Sequence, residues 1–223
     1  KFIEDNITAL KEVERSIQDI VAVVGFVDSA DGKIYNAAAG ICNHKIQGVY
    51  RKTLLPNYGV FDEKRYFSQG EKPLVFKLGE LIFGVNICED IWFDEGPTAS
   101  QARAGAGLIL NINASPYHTG KIKVREEIVR HHASVNKVFI FYTNLIGGQD
   151  ELVFDGQSMA CDNTGTIIAH AAAFKEDLLI VDIPRDKLTK EQVRRPNNDA
   201  TKKHEMIVLD KNGRHSDKPA ITW

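Results

Sequence analysis

The sequence predicts an α/β fold in which helices pack on a sheet of mixed strand direction. Between residues 81 and 144, apolar runs of strand length alternate with two helix-like segments, as in strand–helix–strand units. The pairs Asp31-Gly32 and Gly79-Glu80 instead mark hairpin turns between neighbouring strands. Parallel and antiparallel pairs are therefore both expected, and 223 residues fit one large domain.

Bulk composition narrows the class of protein. With 43% apolar residues the chain can bury a sizeable core, and a net charge of −2 argues against a nucleic-acid binder with a dominant positive field. No apolar run is long enough to span a membrane, and the first residues lack the layout of a secretory signal. Three cysteines do not suggest a disulfide scaffold, so we expect a reducing compartment, the cytoplasm.

The first elements follow from periodicity. Apolar residues recur at three- and four-residue spacing through residues 3–17, which predicts an amphipathic helix. Residues 20–26 are almost wholly apolar, as in a strand buried on both faces, and residues 34–43 and 46–50 follow as further strands. One proline and two glycines break any period in residues 51–70, which predicts a long irregular loop.

The middle of the chain alternates between strands and helices. Residues 74–88 read as two strands joined at Gly79-Glu80. The pattern then predicts a helix, a strand, a long helix and a strand, at residues 97–104, 108–113, 120–136 and 138–144. Strands are also predicted later in the chain, at residues 157–161, 166–169 and 178–183, with a turn at 163–165.

The two ends of the chain differ from the rest. From Arg185 onward the sequence is charged and poor in apolar residues, which predicts a linker or wrapping arm over residues 185–223. The domain itself is therefore predicted to occupy residues 1–184. Because Lys1 already lies within a helical pattern, we expect the chain to be a piece of a longer protein.

Cys88 is the candidate nucleophile. A buried strand ends at this residue in the segment GVNICEDIW, and polar residues follow at once. A helical turn that begins there would offer free N–H groups, which favour the reactive thiolate. Most free cysteines are inert core residues, and Cys42 and Cys161, inside strand patterns, are assigned to that class.

Two polar segments at strand ends supply further candidates. Lys52 ends a strand and enters the loop that carries Pro56, Tyr58, Asp62 and Glu63, and long ordered loops are often functional. The segment NASPYHTGK follows another strand, where ligands gather in α/β folds. Its candidate substrate contacts are Ser115, Tyr117, His118 and Lys121. The alternative for both segments is ordinary surface polarity and loop packing.

Metal and nucleotide sites are not predicted. His131 and His132 are adjacent on a helix and face different directions, without the ligand spacing of a zinc site. Gly105 and Gly107 lack the third glycine of a dinucleotide fingerprint. Neither a GxxxxGK[ST] loop nor a GxSxG elbow occurs in the sequence.

Together these segments resemble the nitrilase, or carbon–nitrogen hydrolase, superfamily, and within it the amidase domain of glutamine-dependent NAD synthetases. The resemblance covers residues 2–183, and its most specific segments are YRKTLLPNYGVFDEKRYF, NICEDIW, NASPYHTGK and NLIGGQDELVFDGQSM. It implies an α/β fold of the nitrilase type, a four-layer α-β-β-α sandwich, which in this chain lacks its first strand.

The resemblance also implies the chemistry. The family uses a Glu–Lys–Cys triad, and Cys88 matches its nucleophile and Lys52 its lysine, while Glu63 matches a second glutamate that positions the lysine. The implied contacts with the substrate are Tyr58, Glu89, Ser115 and Lys121. The reaction implied is hydrolysis of L-glutamine to glutamate and ammonia through a cysteine thioester, with no metal or cofactor.

Partners follow from the same resemblance. It implies a covalently linked synthetase domain that uses the ammonia, with ATP and magnesium, to make NAD from deamido-NAD. It also implies a homo-oligomer, with no nucleic-acid or membrane partner.

One part of the family pattern is missing. The general-base glutamate of the family lies in a GYPPEDL-like motif before the first helix, and that motif does not occur in this chain. Glu4 and Glu12 do not take its position. Two alternatives stay open: a stand-alone amidase or nitrilase acting on another carboxamide or nitrile, and an inactive binding module.

Overall fold

The computed structural model describes residues 1–192 and 205–209. Within them lie four α-helices and twelve strands, with short 3-10 turns at Glu63–Arg65 and Cys88–Ile91. In chain order the elements are α1 (Phe2–Ser16), β1 (Val21–Ala30), β2 (Lys33–Cys42), β3 (Lys45–Arg51), β4 (Leu74–Leu78), β5 (Leu81–Ile87), α2 (Pro97–Arg103), β6 (Leu108–Asn113), α3 (Lys121–Asn136), β7 (Phe139–Asn144), β8 (Ile146–Gln149), β9 (Leu152–Asp155), β10 (Met159–Cys161), β11 (Ile167–His170), α4 (Arg185–Gln192) and β12 (Glu205–Val208).

Two sheets form the centre of the molecule. The first is antiparallel, in the order β1-β2-β3. The second has the order β11-β10-β7-β6-β5-β4-β12, with β5, β6 and β7 parallel to one another. The remaining pair, β8 and β9, is a separate antiparallel hairpin. Mixed strand direction, predicted from the sequence, is therefore confirmed.

Three clusters of apolar side chains lie between the layers of helices and sheets. Leu10 of α1 packs with Ala39 and Ile41 on the outer face of the first sheet. Both sheets contribute to the central layer, which includes Tyr50 and Phe76. The third layer lies between the second sheet and helices α2 and α3, and includes Ala102, Ile109, Val129, Ala133 and Ile140. The order is helix, sheet, sheet, helix, so the predicted four-layer sandwich is confirmed.

Glycine lets the two sheets approach closely. A Cβ atom on Gly40 would lie 2.6 Å from the ring of Phe76, and one on Gly48 would lie 2.0 Å from Ile207. The Phe76 ring in turn stacks on Phe83 at a centroid distance of 5.3 Å. Any larger residue at either glycine would push the first sheet away from the second.

Most of the predicted elements are present within a few residues of their expected bounds, but within residues 1–184 one predicted strand is absent and two observed strands were not predicted. Residues 178–183, predicted as a strand, have no regular structure, and Leu178 is 81% exposed. Their apolar residues find no neighbouring strand, so composition alone was misleading. The strands β8 and β9 were not predicted, because each is only four residues long and β8 contains two glycines.

The C-terminal segment predicted as a linker or wrapping arm contains regular structure. Helix α4 lies against β5, and β12 pairs in parallel with β4 at the edge of the second sheet. Leu209, directly after β12, is fully buried. Residues 193–204 and 210–223 lie outside the described part of the chain, and the domain boundary at residue 184 stays a prediction. No helix in the described residues is long and apolar enough to cross a membrane.

Candidate active site

Cys88 sits at the carboxyl end of a central strand in a strained conformation. Strand β5 ends at Ile87, and Cys88 opens the 3-10 turn with a φ of 47°. A non-glycine residue in the left-handed region costs free energy, and such strain clusters at functional sites. The side chain is 9% exposed, in the central apolar layer.

Lys52 reaches the same region from the other sheet. It directly follows β3, is 1% exposed, and places its Nζ atom 2.6 Å from Oε1 of Glu63. Glu63 belongs to the irregular loop, so the loop folds back onto the strand end from which it starts. The second oxygen of this carboxylate, Oε2, is buried without a hydrogen-bond partner among the described residues.

The charges around the cysteine act in opposite directions. Burial raises the pKa of the Cys88 thiol to about 11, the Lys52 ammonium lowers it, and the Glu63, Glu89 and Asp90 carboxylates raise it. Burial therefore outweighs the favourable charge of Lys52, and the thiol is protonated at neutral pH. A base must remove the thiol proton as the sulfur attacks.

The raised pKa predicts a steep pH dependence of thiol reactivity. Because only the thiolate reacts, alkylation of Cys88 by iodoacetamide should accelerate about tenfold per pH unit between about pH 7 and pH 10. Intact-mass time courses with peptide mapping measure this rate. Lys52→Met should slow alkylation further at each pH, since the cation that lowers the pKa is removed. A rate that levels off below pH 8 would contradict the prediction.

Asp90 forms hydrogen bonds both with the end of β3, next to Lys52, and with Ile87, next to Cys88. Its Oδ2 accepts hydrogen bonds from the Tyr50 hydroxyl at 2.8 Å and from the Ile87 N–H at 3.0 Å. Its Oδ1 accepts from the N–H groups of Thr53 at 3.2 Å and Leu54 at 2.8 Å. Burial raises the pKa of Asp90 to about 6, and these hydrogen bonds oppose that rise. The carboxylate therefore bridges the two sheets beside Lys52 and Cys88.

Glu89, the residue directly after Cys88 in the turn, is a buried acid. Glu89 is 6% exposed, and both oxygens of its carboxylate accept from the Tyr58 hydroxyl, at 2.8 and 2.9 Å. Burial and this contact with Glu89 raise the pKa of the phenol well above its usual value. No basic side chain in the described residues pairs with Glu89.

Lys121, the first residue of α3, is a further charged residue near the cysteine turn. The Nζ atom of Lys121 lies 4.2 Å from the centroid of the Trp92 ring, and no acidic side chain of the described chain forms an ion pair with it. Burial and the nearby Arg125 lower the pKa of Lys121, while Cys88 and Glu89 raise it. The negative charges of Cys88 and Glu89 therefore act on the Lys121 ammonium.

Ser115 is held by a buried ion pair. Arg125 and Asp155, both 0% exposed in their side chains, pair at 2.7 Å. The Arg125 Nε–H also donates to Ser115 Oγ at 3.2 Å, and its Nη2 donates to the carbonyl oxygens of Ser115 and Pro116. Asp155 ends the hairpin β8–β9, so this unpredicted hairpin anchors the loop that carries Ser115.

The remaining candidates lie towards the surface. Tyr117 is 44% exposed and packs edge-on against Phe174, and His118 is exposed with its ring nitrogen near the Thr119 carbonyl. The other two cysteines, Cys42 and Cys161, are buried in strands away from these contacts. Sequence reasoning missed Asp90, Arg125 and Asp155 as site residues, although Asp90 lies inside the quoted motif ICED.

Comparison with known proteins identifies the family. The carbon–nitrogen hydrolase family matches residues 12–191. A glutamine-dependent NAD(+) synthetase from Thermotoga maritima is 44% identical over 189 residues, which are 83% of this chain and 33% of that protein. The relative from Aquifex aeolicus is 42% identical over 181 residues, or 77% of this chain and 32% of its own. The chain therefore spans about a third of the length of the relatives it matches.

Solved structures agree with the sequence matches. The glutamine-dependent NAD+ synthetase of Acinetobacter baumannii, in complex with ADP, superposes with a TM-score of 0.79 at 40% identity, over 83% of this chain and 36% of that one. Family match, sequence identity and fold coincide on the part of the molecule that holds Cys88, Lys52 and Glu63. The chain belongs to the carbon–nitrogen hydrolase family, and it matches the glutamine-dependent NAD synthetases within it.

Proposed function

We propose that this chain hydrolyses L-glutamine to glutamate and ammonia with Cys88 as the nucleophile. The observation that carries the proposal is the buried Lys52–Glu63 ion pair beside a buried cysteine in a strained turn. A cation fixed next to a thiol stabilises negative charge on the sulfur and on an oxyanion that forms there. A purely structural cysteine needs neither group.

The first step would form a thioester. A general base takes the Cys88 proton as the sulfur attacks the carboxamide carbon of glutamine, and the carbonyl oxygen becomes an oxyanion. Lys52 and the backbone N–H of Glu89, the residue after the nucleophile, would donate to that oxygen. Each such donor is typically worth about 3 kcal/mol of transition-state stabilisation. Glu63 would orient the Lys52 ammonium through the 2.6 Å contact.

The second step would release the products. The base returns its proton to the nitrogen, ammonia leaves, and water hydrolyses the γ-glutamyl thioester to glutamate and free thiol. In the family pattern this base is the glutamate of the GYPPEDL-like motif; that motif does not occur in this sequence, so turnover is measured on a longer protein that carries it.

Glu89 and Lys121 carry opposite charges that could bind the ammonium and carboxylate groups of an amino acid. Glu89 is a buried carboxylate without a cation in the described residues, and Lys121 is a partly buried ammonium without an anion. A zwitterionic substrate would supply both missing charges, its ammonium to Glu89 and its carboxylate to Lys121 and Ser115. Tyr58, half exposed and bonded to Glu89, would cover the ligand from the solvent side. These four residues are the proposed glutamine contacts.

The larger reaction is proposed from the relatives. Those proteins are named glutamine-dependent NAD(+) synthetases, and this chain matches a third of their length. The ammonia released at Cys88 would pass to a covalently linked synthetase domain, which would make NAD from deamido-NAD with ATP and magnesium. A cytoplasmic homo-oligomer is the assembly we propose for the whole protein.

Labelling with 6-diazo-5-oxo-L-norleucine, a glutamine-like alkylating agent, tests the glutaminase assignment. We expect one adduct per chain by intact mass, confined by peptide mapping to Cys88 and prevented by excess L-glutamine. Cys42 and Cys161 serve as internal controls, because both are buried outside the pocket. Absence of the Cys88 adduct, or protection by an aliphatic amide but not by glutamine, would contradict the proposal.

The amidase alternative has one observation in its favour. An amidase from Nesterenkonia sp. AN1 carries acrylamide at its active-site cysteine, and it superposes with a TM-score of 0.70 at 26% identity over 86% of this chain and 73% of that one. A screen of L-glutamine against acrylamide, butyramide and simple nitriles separates the two functions. Faster turnover of any of these compounds than of glutamine would favour the amidase or nitrilase.

Replacement of Lys52 should affect chemistry more than folding. We expect Lys52→Ala to lower kcat/KM for glutamine about 100- to 1000-fold, because one oxyanion donor is lost. The fold should persist, because the Glu63 side chain is 18% exposed and the space left by the lysine side chain lets water reach its carboxylate. Lys64→Ala, in the same loop but exposed, is the control and should keep full activity. A collapsed melting temperature for Lys52→Ala would instead assign Lys52 a structural role.

A further inference from the structure

Trp92 closes the turn that Cys88 opens. It directly follows the 3-10 turn Cys88–Ile91, and its backbone N–H donates to the carbonyl oxygen of Glu89 at 3.0 Å. Its indole ring is partly buried and packs against the apolar cluster between the second sheet and helices α2 and α3. The turn and this packing together fix the position of the ring relative to the cysteine.

The face of the Trp92 ring holds a cation. The Nζ atom of Lys121 lies 4.2 Å from the ring centroid, well inside the limit of about 6 Å for a cation–π contact. Lys121 opens α3, and the next residue, Ile122, packs against the same apolar cluster as the ring. An aromatic face attracts an ammonium without neutralising it, and the ammonium keeps N–H donors for another partner.

An opposite charge lies in the same turn, and Lys121 does not pair with it. The buried Glu89 carboxylate accepts from the Tyr58 hydroxyl, and within residues 1–192 and 205–209 neither Glu89 nor Lys121 forms an ion pair. A lysine side chain is long and flexible, so Glu89 would attract a Lys121 that nothing held. Such a pair would neutralise both charges, and a ligand could then use neither.

We propose that Trp92 is a positioning residue whose ring holds the Lys121 ammonium away from Glu89 and so keeps it available to the carboxylate of an amino-acid ligand. The inference rests on the proposed function, in which Glu89 binds the ammonium of glutamine and Lys121 its carboxylate. An acidic residue in place of Trp92 would also hold the lysine, but it would compete with the ligand. Preference for ligands that carry a carboxylate therefore depends on the aromatic ring.

Protection of Cys88 from iodoacetamide measures ligand binding without turnover. Intact-mass time courses give the ligand concentration that halves the labelling rate. Three ligands share the carboxamide: L-glutamine, glutaramate, which lacks the ammonium, and 4-aminobutyramide, which lacks the carboxylate. We expect Trp92→Leu to raise the half-protecting concentrations of L-glutamine and glutaramate about tenfold, as for one lost cation–π contact that is partly desolvated. The value for 4-aminobutyramide should change less than about twofold, because this ligand does not use Lys121.

Three further variants separate positioning from packing. Trp92→Phe keeps an aromatic face that attracts cations more weakly, so glutaramate protection should weaken only about threefold, and this variant carries the test if Trp92→Leu does not fold. Phe93→Leu, at the exposed next position, is the control and should leave all three ligands unaffected. In a Lys121→Met background, Trp92→Leu should cause no further loss, because the ring then has no cation to hold.

Each contrary result has a distinct meaning. Native-like protection of Trp92→Leu by L-glutamine and glutaramate would overturn the role of Trp92 and leave the glutaminase proposal standing. An equal loss with all three ligands, or an undiminished loss in the Lys121→Met background, would also overturn it, because Trp92 would then only support the packing. Failure of L-glutamine to protect the native chain, while 4-aminobutyramide protects it, would overturn the proposed function and the role of Trp92 with it.

Discussion

Cys88→Ala should reduce glutamine hydrolysis by at least about 10⁴-fold, to the limit of an ammonia-release assay. Loss of a nucleophile removes the covalent pathway, and in comparable systems costs about 10⁶-fold in kcat. The fold should survive, because alanine fits the turn and the side chain removed is small, although φ remains at 47°. The substitution therefore separates chemistry from stability.

Two controls sharpen this test. Cys161→Ala removes a buried thiol of the second sheet, away from Lys52, and should retain activity. In a longer protein that carries a synthetase domain, Cys88→Ala should leave ammonia-driven NAD formation intact. Loss of the ammonia-driven reaction as well would contradict the division of the two activities between separate domains, and residual glutamine hydrolysis would contradict Cys88 as the nucleophile.

Asp90→Asn is expected to damage both stability and activity. The carboxylate accepts four hydrogen bonds, two at each oxygen, and an amide nitrogen can accept none of them. Two donors would be left buried and unpaired, at about 1–3 kcal/mol each. We expect the free energy of unfolding to fall by about 3 kcal/mol in urea titrations. Activity should fall as well, because Thr53 and Leu54 would no longer be fixed beside the cysteine turn.

Asp94→Asn is the matched control for this change. Asp94 lies four residues further along the chain, and its ion pair with His131 is exposed, so the free energy of unfolding should change by less than about 1 kcal/mol. Labelling of Cys88 by the diazo compound, measured well below the denaturation midpoint, reports the site separately. A destabilised Asp90→Asn protein that still labels at the native rate would make Asp90 a purely structural residue.

The sequence predicted the parts of the molecule that depend on local patterns. The helix at residues 3–17, the hairpin at Asp31-Gly32 and the central strand–helix–strand units rest on periodicity and turn chemistry, which act over a few residues. The layer order came from the family resemblance carried by motifs such as NICEDIW. Periodicity alone could not have paired the strands, because pairing joins residues far apart in the chain.

The interactions that complete the site are long-range, and local patterns carry no trace of them. The hydrogen bond between Tyr50 and Asp90 joins residues 40 positions apart in the sequence, and the one between Arg125 and Asp155 joins residues 30 positions apart. The raised pKa of Cys88 likewise depends on how deeply the fold buries it.

The placement of Lys52 and Cys88 on different sheets has a mechanical consequence. Lys52 follows β3 and Cys88 follows β5, and between these strands lie Phe76 and the close approach at Gly40 and Gly48. A sliding of one sheet over the other by a fraction of an ångström would alter the distance between cation and sulfur. We therefore expect the turnover rate to fall when the packing between the two sheets loosens, at conditions where the protein is still folded.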